Sequence, residues 1–318
     1  MARIEFDDMA RRNAATLIEV ALAEDLGSPM PELGLNVHSG RIDLDFTATS
    51  LTPGDITSLT LIPEELHGSA AFVARSSGTI AGLPAVVMIA ARLGVRWYEP
   101  VLIDGDRVEA GMTIATLHGQ MRSLLLAERI VLNFLQRLSG IATLTARYVA
   151  AVSGNNAVIL DTRKTTPGWR ALEKYAVRCG GGTNHRFGLY DAVLIKDNHI
   201  VSLALLGEAD PVSVAIRHAR ANAPAGMIIE VEVDSLDQFD QALECQPDII
   251  LVDNLGPKVL IEAVRRRNSL APAVLLEASG GVNLQTAAAL AATGVDRISV
   301  GALTHSAPAL DIGLDFRQ

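Results

Sequence analysis

Residues able to manage negative charge are concentrated in one part of this sequence. Asp161, Arg163 and Lys164 follow one another in "LDTRKTTPG", directly after the apolar run "AVIL". Farther on, "CGGGTNHRFG" carries His185 and Arg186 behind three glycines, and "AVLIKDN" ends an apolar run on Lys196. The chain has only four lysines, Lys164, Lys174, Lys196 and Lys258, and three of them fall between Lys164 and Lys196 together with Arg170, Arg178, His185 and Arg186. A cation at the end of an apolar strand is costly to bury unless an anion neutralises it. In a chain of net charge −9, such a concentration points to a bound anion.

Acidic and small residues complete the set. In "EVEV", Glu230 and Glu232 alternate with Val231 and Val233, so a strand puts both acids on one face; Asp253 ends "DIILVD". A hard cation such as Mg²⁺ takes a few carboxylates and completes its shell with water and substrate phosphates, while ion pairing with the nearby cations is an equal reading of these acids alone. Ser279, Gly280 and Gly281 precede a helix-like stretch that Asn283 could cap, and Gly301 with Ala302 ends the next apolar run. Small-residue loops leading into helix N-termini favour phosphate. The cations exceed what one phosphate needs, which implies a second substrate with several negative charges.

The elements that must position these residues follow a repeat. From about Asn156 onward an apolar run, a polar terminal residue, a loop and a helix-like stretch recur: "AVIL", "AVLI", "MIIEVEV", "DIILV", "AVLLEA" and "RISV" alternate with patterns such as "PVSVAIRHARANA", "SLDQFDQALE", "PKVLIEAVRRR" and "NLQTAAALAATG". Strands alternating with helices predict a parallel sheet, and functional residues at strand carboxyl ends predict a barrel mouth. Six units rather than eight predict an incomplete α/β barrel, with either an Asp161–Arg163 ion pair closing its mouth or both residues serving a ligand. The three glycines suit a tight bend or a close approach of backbone amides to a ligand.

The first half reads as an N-terminal α+β sandwich domain over residues 1–139, with the barrel over 140–305 and a tail over 306–318. Residues 7–27 are helical and end near Asp25 and Gly27; residues 55–118 read as short strands joined by turns. One hairpin there resembles a lipoyl or biotinyl carrier, but a carrier needs a lysine at its tip and none precedes Lys164. Residues 28–54 are rich in Pro, Gly and Ser and read as an insertion. Two helices separated at Gly140 follow, the first with Arg122, Arg129, Asn133 and Gln136 on one polar stripe, the pattern of a solvated face.

Composition narrows the function classes. At 49% hydrophobic and 20% charged residues the chain reads as globular. No apolar run reaches the roughly 18 residues of a membrane span and the N-terminus lacks a signal-peptide core, so a cytoplasmic protein is expected. Net negative charge argues against nucleic-acid and membrane partners. Cys179 and Cys245 read as ordinary thiols of a reducing compartment.

With these residues in view, the sequence resembles the quinolinate phosphoribosyltransferase family, also called nicotinate-nucleotide pyrophosphorylase (carboxylating). The resemblance rests on "AERIVLNFLQRLSGIATLT", "DTRKTTPG", "EKYAVRCGGGTNHRFGLYDAVLIKDNH", "EVEVDS", "DIILVDN", "EASGG" and "GVDRISVGALTHS", and runs from about Gly54 almost to the C-terminus. It implies transfer of phosphoribose from phosphoribosyl pyrophosphate to quinolinate, with release of pyrophosphate and CO₂, giving nicotinate mononucleotide for NAD synthesis. By motif it implies that Arg129, Arg163, His185, Arg186 and Lys196 bind the two carboxylates of quinolinate, with Lys164 nearby and shared with the phosphoribosyl donor. Glu232 and Asp253 would hold Mg²⁺ and the ribose-pyrophosphate, and Ser279, Gly280, Gly281 and Gly301 would cup the 5′-phosphate. Lys164, Lys196, Glu232 and Asp253 are the candidate catalytic groups. The family also implies a homodimer in which Arg129 reaches the neighbouring subunit's site.

Two departures stand out, the 28–54 insertion and Trp169 after the "TTPG" turn, where a smaller aliphatic residue is common. Neither removes a charged candidate. Three rival functions make different demands. A Schiff-base lyase would use Lys196 as nucleophile, but would not need so many companion cations. A phosphoribosyltransferase for a ring acid with one carboxylate would not need Arg129, Arg163, Arg186 and Lys196 together. A phosphate-ligand sensor would have little use for Lys164, Glu232 and Asp253 beside a leaving group.

Overall fold

The computed structural model describes residues 4–27, 37–38, 41–42, 54–95 and 97–317. The 28–54 insertion lies outside the described residues apart from Gly54 and two short strands, β1 (Val37–His38) and β2 (Arg41–Ile42), which pair antiparallel. The chain divides into two compact units, Met1–Gly140 with Ala309–Gln318, and Ile141–Pro308.

In the first unit, α1 (Asp8–Leu26) starts where the Asp7 carboxylate accepts the Ala10 N–H at 2.8 Å and stops at Gly27. There follow α2 (Ile56–Leu61), β3 (His67–Ala74), β4 (Gly78–Thr79), α3 (Leu83–Arg92), β5 (Trp97–Pro100), β6 (Arg107–Val108) and β7 (Thr113–Gln120). An antiparallel sheet runs in the order β14-β3-β7-β5, its edge supplied by β14 (Ile312–Arg317) from the C-terminal stretch that reads in sequence as a tail. The reading of 55–118 as strands and turns overlooks α2 and the longer α3. Its run "LPAVVMIAAR" is apolar almost throughout, and periodicity alone cannot separate a buried helix from a buried strand.

The two helices expected on either side of Gly140 are one, α4 (Met121–Ala151). A single interior glycine costs only about 1 kcal/mol against alanine, and the buried stripe of Leu135, Leu138, Ile141 and Ala142 continues through it. Of the polar stripe, Arg129 and Asn133 are exposed, whereas Arg122 donates to the Ile62 carbonyl at 2.7 Å and Gln136 to the Ile312 carbonyl at 2.7 Å.

The second unit alternates strand and helix: β8 (Val158–Leu160), α5 (Arg170–Cys179), β9 (Val193–Ile195), α6 (Asp197–Leu205), α7 (Pro211–Asn222), β10 (Ile229–Val233), α8 (Leu236–Cys245), β11 (Ile249–Asp253), α9 (Pro257–Leu270), β12 (Leu275–Ser279), α10 (Leu284–Ala291), β13 (Arg297–Ser299) and α11 (Ala302–His305). The six strands are parallel in the order β8-β13-β12-β11-β10-β9, the expected incomplete α/β barrel. Helix starts follow local chemistry: Asp210, Ser235 and Asn283 cap α7, α8 and α10 through their side chains, and Pro211 and Pro257 occupy first-turn positions that need no amide donor. On the free edge of β8, Thr183 donates to the Ile159 carbonyl at 2.8 Å and accepts the Asp161 N–H at 3.2 Å, a single bridge where a further strand would lie.

Register decides which residues share the barrel interior. Glu232 pairs with Leu251, Leu251 with Glu277, and Glu277 with Arg297; one step toward the mouth, Asp253 pairs with Ser279. Glu230 pairs with Leu194, two residues before Lys196. Since paired residues of parallel strands point to the same face, Glu230, Glu232, Asp253, Glu277, Ser279 and Arg297 share one face. No helix among the described residues is long and apolar enough to cross a membrane.

Candidate active site

At the strand carboxyl ends the predicted residues fall into three groups. The deepest centres on His185. Its Nε2 lies 3.1 Å from Glu230 Oε2 and 3.4 Å from Glu277 Oε1, while Arg297 donates to Glu277 Oε2 at 2.6 Å. Burial by itself would lower the imidazole pKa, but the hydrogen bonds and charges of Glu230 and Glu277 outweigh it and push it up to about 9. The Arg186 N–H donates to Nδ1 at 2.7 Å. Nε2 therefore carries the proton that faces the two carboxylates. Burial would raise the Glu277 pKa, yet His185 and Arg297 bring it below its ordinary value. One ligand atom from each of His185, Glu230 and Glu277 lies within 4.8 Å of the others. The imidazole proton and Arg297 already answer the two carboxylates, so this group is read as a clamp on the ring.

The second group is cationic. Arg163 is half-buried and its Nε is buried with no hydrogen-bond partner. Arg186 donates to the Ala192 carbonyl at 3.1 Å, and its pKa is lowered by burial first and by the Arg163 charge second. Two guanidiniums thus repel each other at one place. Asp161 does not pair with Arg163; it turns toward α5 and pairs with Lys174, both side chains almost fully buried. Leu160 pairs with Ser299 on the interior face, so alternation turns Asp161 outward toward α5; β8 ends at Leu160, and the loop beyond it carries Arg163 elsewhere.

The third group faces the small-residue loops at Gly280 and Gly301. Lys196 Nζ lies 3.7 Å from Glu232 Oε2, and the His199 imidazole accepts the Lys196 N–H at 2.9 Å, fixing the backbone there. The Glu232 pKa is raised, mainly by burial and also by the neighbouring Asp253, with Lys196 acting against the shift. Lys196 is half exposed and ion-paired, which is not the desolvated setting of a Schiff-base lysine. Lys164 lies over Gly301, where an added Cβ would meet its Cδ at 3.3 Å. Gly280 has φ 88° and packs so closely on Asn254 that a Cβ would fall 2.6 Å from Oδ1. The Asn254 N–H donates to the Ser279 carbonyl at 2.9 Å. Asn283 Oδ1 accepts the N–H groups of Gln285 and Thr286, capping α10 as its sequence suggests.

The three glycines before His185 serve packing and bending rather than ligand approach. A Cβ on Gly180 would meet the Ala142 carbonyl oxygen at 2.4 Å, one on Gly182 would meet Thr145 Cγ2 at 2.8 Å, and Gly181 has φ 84°. Trp169 stands at the start of α5, its N–H donating to the Thr166 carbonyl at 3.0 Å. Arg129 lies on α4 in the first unit and is exposed.

Sequence reasoning missed Glu277 and Asn184 and misread Lys174. Glu277 had a signal: an acid inside an apolar strand, two residues before Ser279 and therefore on its face. Lys174 was counted among the cations gathered for an anion, but it is buried and paired with Asp161; Asn184 had no signal, because its partners are brought to it by the tertiary fold.

Both domains of one family match the chain. Residues 55–139 match the quinolinate phosphoribosyl transferase N-terminal domain and residues 141–315 the C-terminal domain of the same name. The chain is 47% identical over 265 residues to nicotinate-nucleotide pyrophosphorylase (carboxylating) of Mycobacterium leprae, covering 82% of this chain and 91% of that protein. It is 43% identical over 273 residues to the probable enzyme of the same name from Bacillus subtilis, covering 85% and 90%. Its fold resembles the solved nicotinate-nucleotide pyrophosphorylase of Francisella tularensis with a TM-score of 0.82 at 33% identity over the full length of both chains.

Proposed function

The chain belongs to the quinolinate phosphoribosyltransferase family, and on that premise we propose how its barrel mouth carries out the family's reaction. The enzyme transfers phosphoribose from phosphoribosyl pyrophosphate to quinolinate with decarboxylation, in NAD biosynthesis. The observation that carries the residue assignment is the pairing of two repelling guanidiniums, one with a buried and unpartnered Nε. A dianion with adjacent carboxylates satisfies both.

Arg163, Arg186 and Lys196 hold the two carboxylates of quinolinate, and His185, clamped by Glu230 and Glu277, fixes the Arg186 backbone beside them. Lys164, lying over Gly301, reaches both the ring acid and the phosphoribosyl donor. Ser279, Gly280, Gly281 and Gly301 receive the 5′-phosphate. The held ring presents its nitrogen to the ribose carbon, so that much of the rate acceleration is positioning. The C–O bond to pyrophosphate breaks as the N–C bond forms, and Lys164 stabilises charge on the departing group. Once the ring nitrogen is quaternary, the adjacent carboxylate leaves as CO₂ and the ring carbon takes a proton.

Glu232 and Asp253 are hard oxygen donors on adjacent strands, near enough for one to raise the pKa of the other, a donor set that fits Mg²⁺. An ion bound there with substrate phosphate oxygens would supply positive charge to the leaving pyrophosphate. Lys196, which pairs with Glu232, exchanges that partner for a substrate carboxylate.

Arg129, exposed on α4, is supplied to the neighbouring subunit of a homodimer, and the enzyme works in the cytoplasm. The deciding experiment follows quinolinate absorbance with phosphoribosyl pyrophosphate and Mg²⁺, beside a nicotinate control and a control without metal. Metal-dependent loss of quinolinate alone supports the reading; consumption of nicotinate instead, or of neither acid by folded protein, removes the assignment of the cation cluster.

A further inference from the structure

Bringing Arg163 and Arg186 together is electrostatically uphill, so something other than their own contacts must hold them. Each sits on its own loop, Arg163 just beyond β8 and Arg186 beyond the three glycines. The two loops meet through one buried carboxylate. Asp161 Oδ1 accepts the His185 N–H at 2.9 Å and pairs with Lys174, while Oδ2 accepts from Asn184 Nδ2 at 2.5 Å. Lys174 Nζ also donates to the His185 carbonyl at 3.0 Å. Asn184 Nδ2 reaches the Lys174 carbonyl at 2.9 Å and its Oδ1 accepts from Arg178 at 2.8 Å. Asp161 is 0% exposed and Lys174 1%.

The same helix grips the other loop. Glu173, fully buried, accepts the Thr166 N–H at 3.1 Å and the Thr166 hydroxyl at 2.8 Å, and Arg170 bridges the Thr165 hydroxyl and the Phe187 carbonyl at 3.1 Å each. Arg170, Glu173, Lys174 and Arg178 recur at helical spacing, so one face of α5 touches both loops.

We propose that Asp161, Lys174 and Asn184 are positioning residues for the reaction: a buried latch that sets the separation of Arg163 and Arg186 and thereby matches the site to two adjacent carboxylates. Asp161 and Lys174 are buried away from solvent, and all three act through the loops they hold. This rests on the reading that those arginines bind quinolinate, and it adds that selectivity for a dicarboxylate is set from behind the site. Apart from Lys164, which shares the Arg163 loop, the phosphoribosyl side is built on β10 to β13, so the latch acts on it less than on the ring-acid side.

Two variants test it. Asn184→Ala removes hydrogen bonds without stranding a charge, and the combined Asp161→Asn with Lys174→Met removes the buried pair in a charge-balanced way, which proteins often tolerate. Quinolinate and phosphoribosyl pyrophosphate binding are measured by titration calorimetry on folded protein, with KM, kcat and Tm alongside. A loss of about tenfold in quinolinate affinity, the effect of roughly one net hydrogen bond, with a matching rise in quinolinate KM, smaller discrimination against nicotinate and a clearly smaller loss of donor affinity, supports the latch. Equal loss for both ligands, or unchanged quinolinate affinity in either folded variant, overturns it. If the unmodified protein fails to bind quinolinate, the assignment of the arginines fails first and the latch with it.

Discussion

The Nε2 of His185 lies 3.1 Å from Oε2 of Glu230, with the two side chains 8% and 2% exposed. An ionisable ring placed this deep is normally driven neutral, and here a second carboxylate, Glu277, holds it from the other side. The clamp makes the barrel floor sensitive to pH and fixes the backbone from which Arg186 departs.

Because the folded pKa of His185 is raised from 6.5 to about 9, its contribution to stability is fully present below about pH 6.5 and is lost as pH rises through about 9. Urea midpoints should therefore fall between about pH 6 and about pH 10, and the fall should be smaller in Glu230→Gln. Parallel curves for the two proteins would remove the clamp from the account.

Glu277→Gln leaves Arg297 beside a neutral amide and takes one carboxylate from His185. Removing one partner of a buried pair costs about 3–5 kcal/mol, so a clear drop in unfolding free energy is expected. A change well under 1 kcal/mol in denaturant titrations would mean that burial, not the pair, dominates there.

Arg163→Ala deletes a cation with an unpartnered buried Nε and relieves the repulsion of Arg186. Stability should hold or rise slightly. The kcat/KM for quinolinate should fall by about a hundredfold or more, since hydrogen bonds between charged groups contribute about 1.5–3 kcal/mol each. A well-folded variant with near-normal turnover would contradict the assignment.

Gly280→Ala places a Cβ 2.6 Å from Asn254 Oδ1 at a φ of 88°. Strain of this kind costs about 1–3 kcal/mol. Its readout is a lower Tm together with a higher KM for phosphoribosyl pyrophosphate; a change in quinolinate KM alone would argue against a phosphate role for this loop.

Chelation of divalent metal should abolish turnover reversibly, and Glu232→Gln or Asp253→Asn should raise the Mg²⁺ concentration needed for half-maximal rate. Equilibrium Mn²⁺ binding by spin resonance, with donor substrate present, provides the check independent of rate. Unaltered metal affinity in both variants would move the ion elsewhere.

Much of the barrel could be read from the chain itself, because each strand is an apolar run ended by a charged or small residue, and α7, α8 and α10 carry their own caps. Lys196, Glu232, Asp253 and Ser279 were legible for the same reason: a strand end is a local feature, and alternation fixes the face. The helix α3 was not, since "LPAVVMIAAR" has too little polar contrast to reveal its period, and Gly140 read as a break because a propensity cost of about 1 kcal/mol is decided by the packing around it.

Long-range pairing was decided by tertiary structure alone. Nothing local tells Asp161 to choose Lys174 over Arg163, or tells His185 that Glu230 and Glu277 will flank it, since Glu230 stands 45 positions away, Glu277 farther still, and both meet it only through the placement of β10 and β12. The return of β14 to the edge of β3 is of the same kind. By itself the sequence determined which residue types end each strand, and hence the chemistry available at the mouth. The tertiary fold decided which charges neutralise each other and which are left for the substrate, because electrostatic pairing depends on distance and burial, and neither is written in a local stretch of chain.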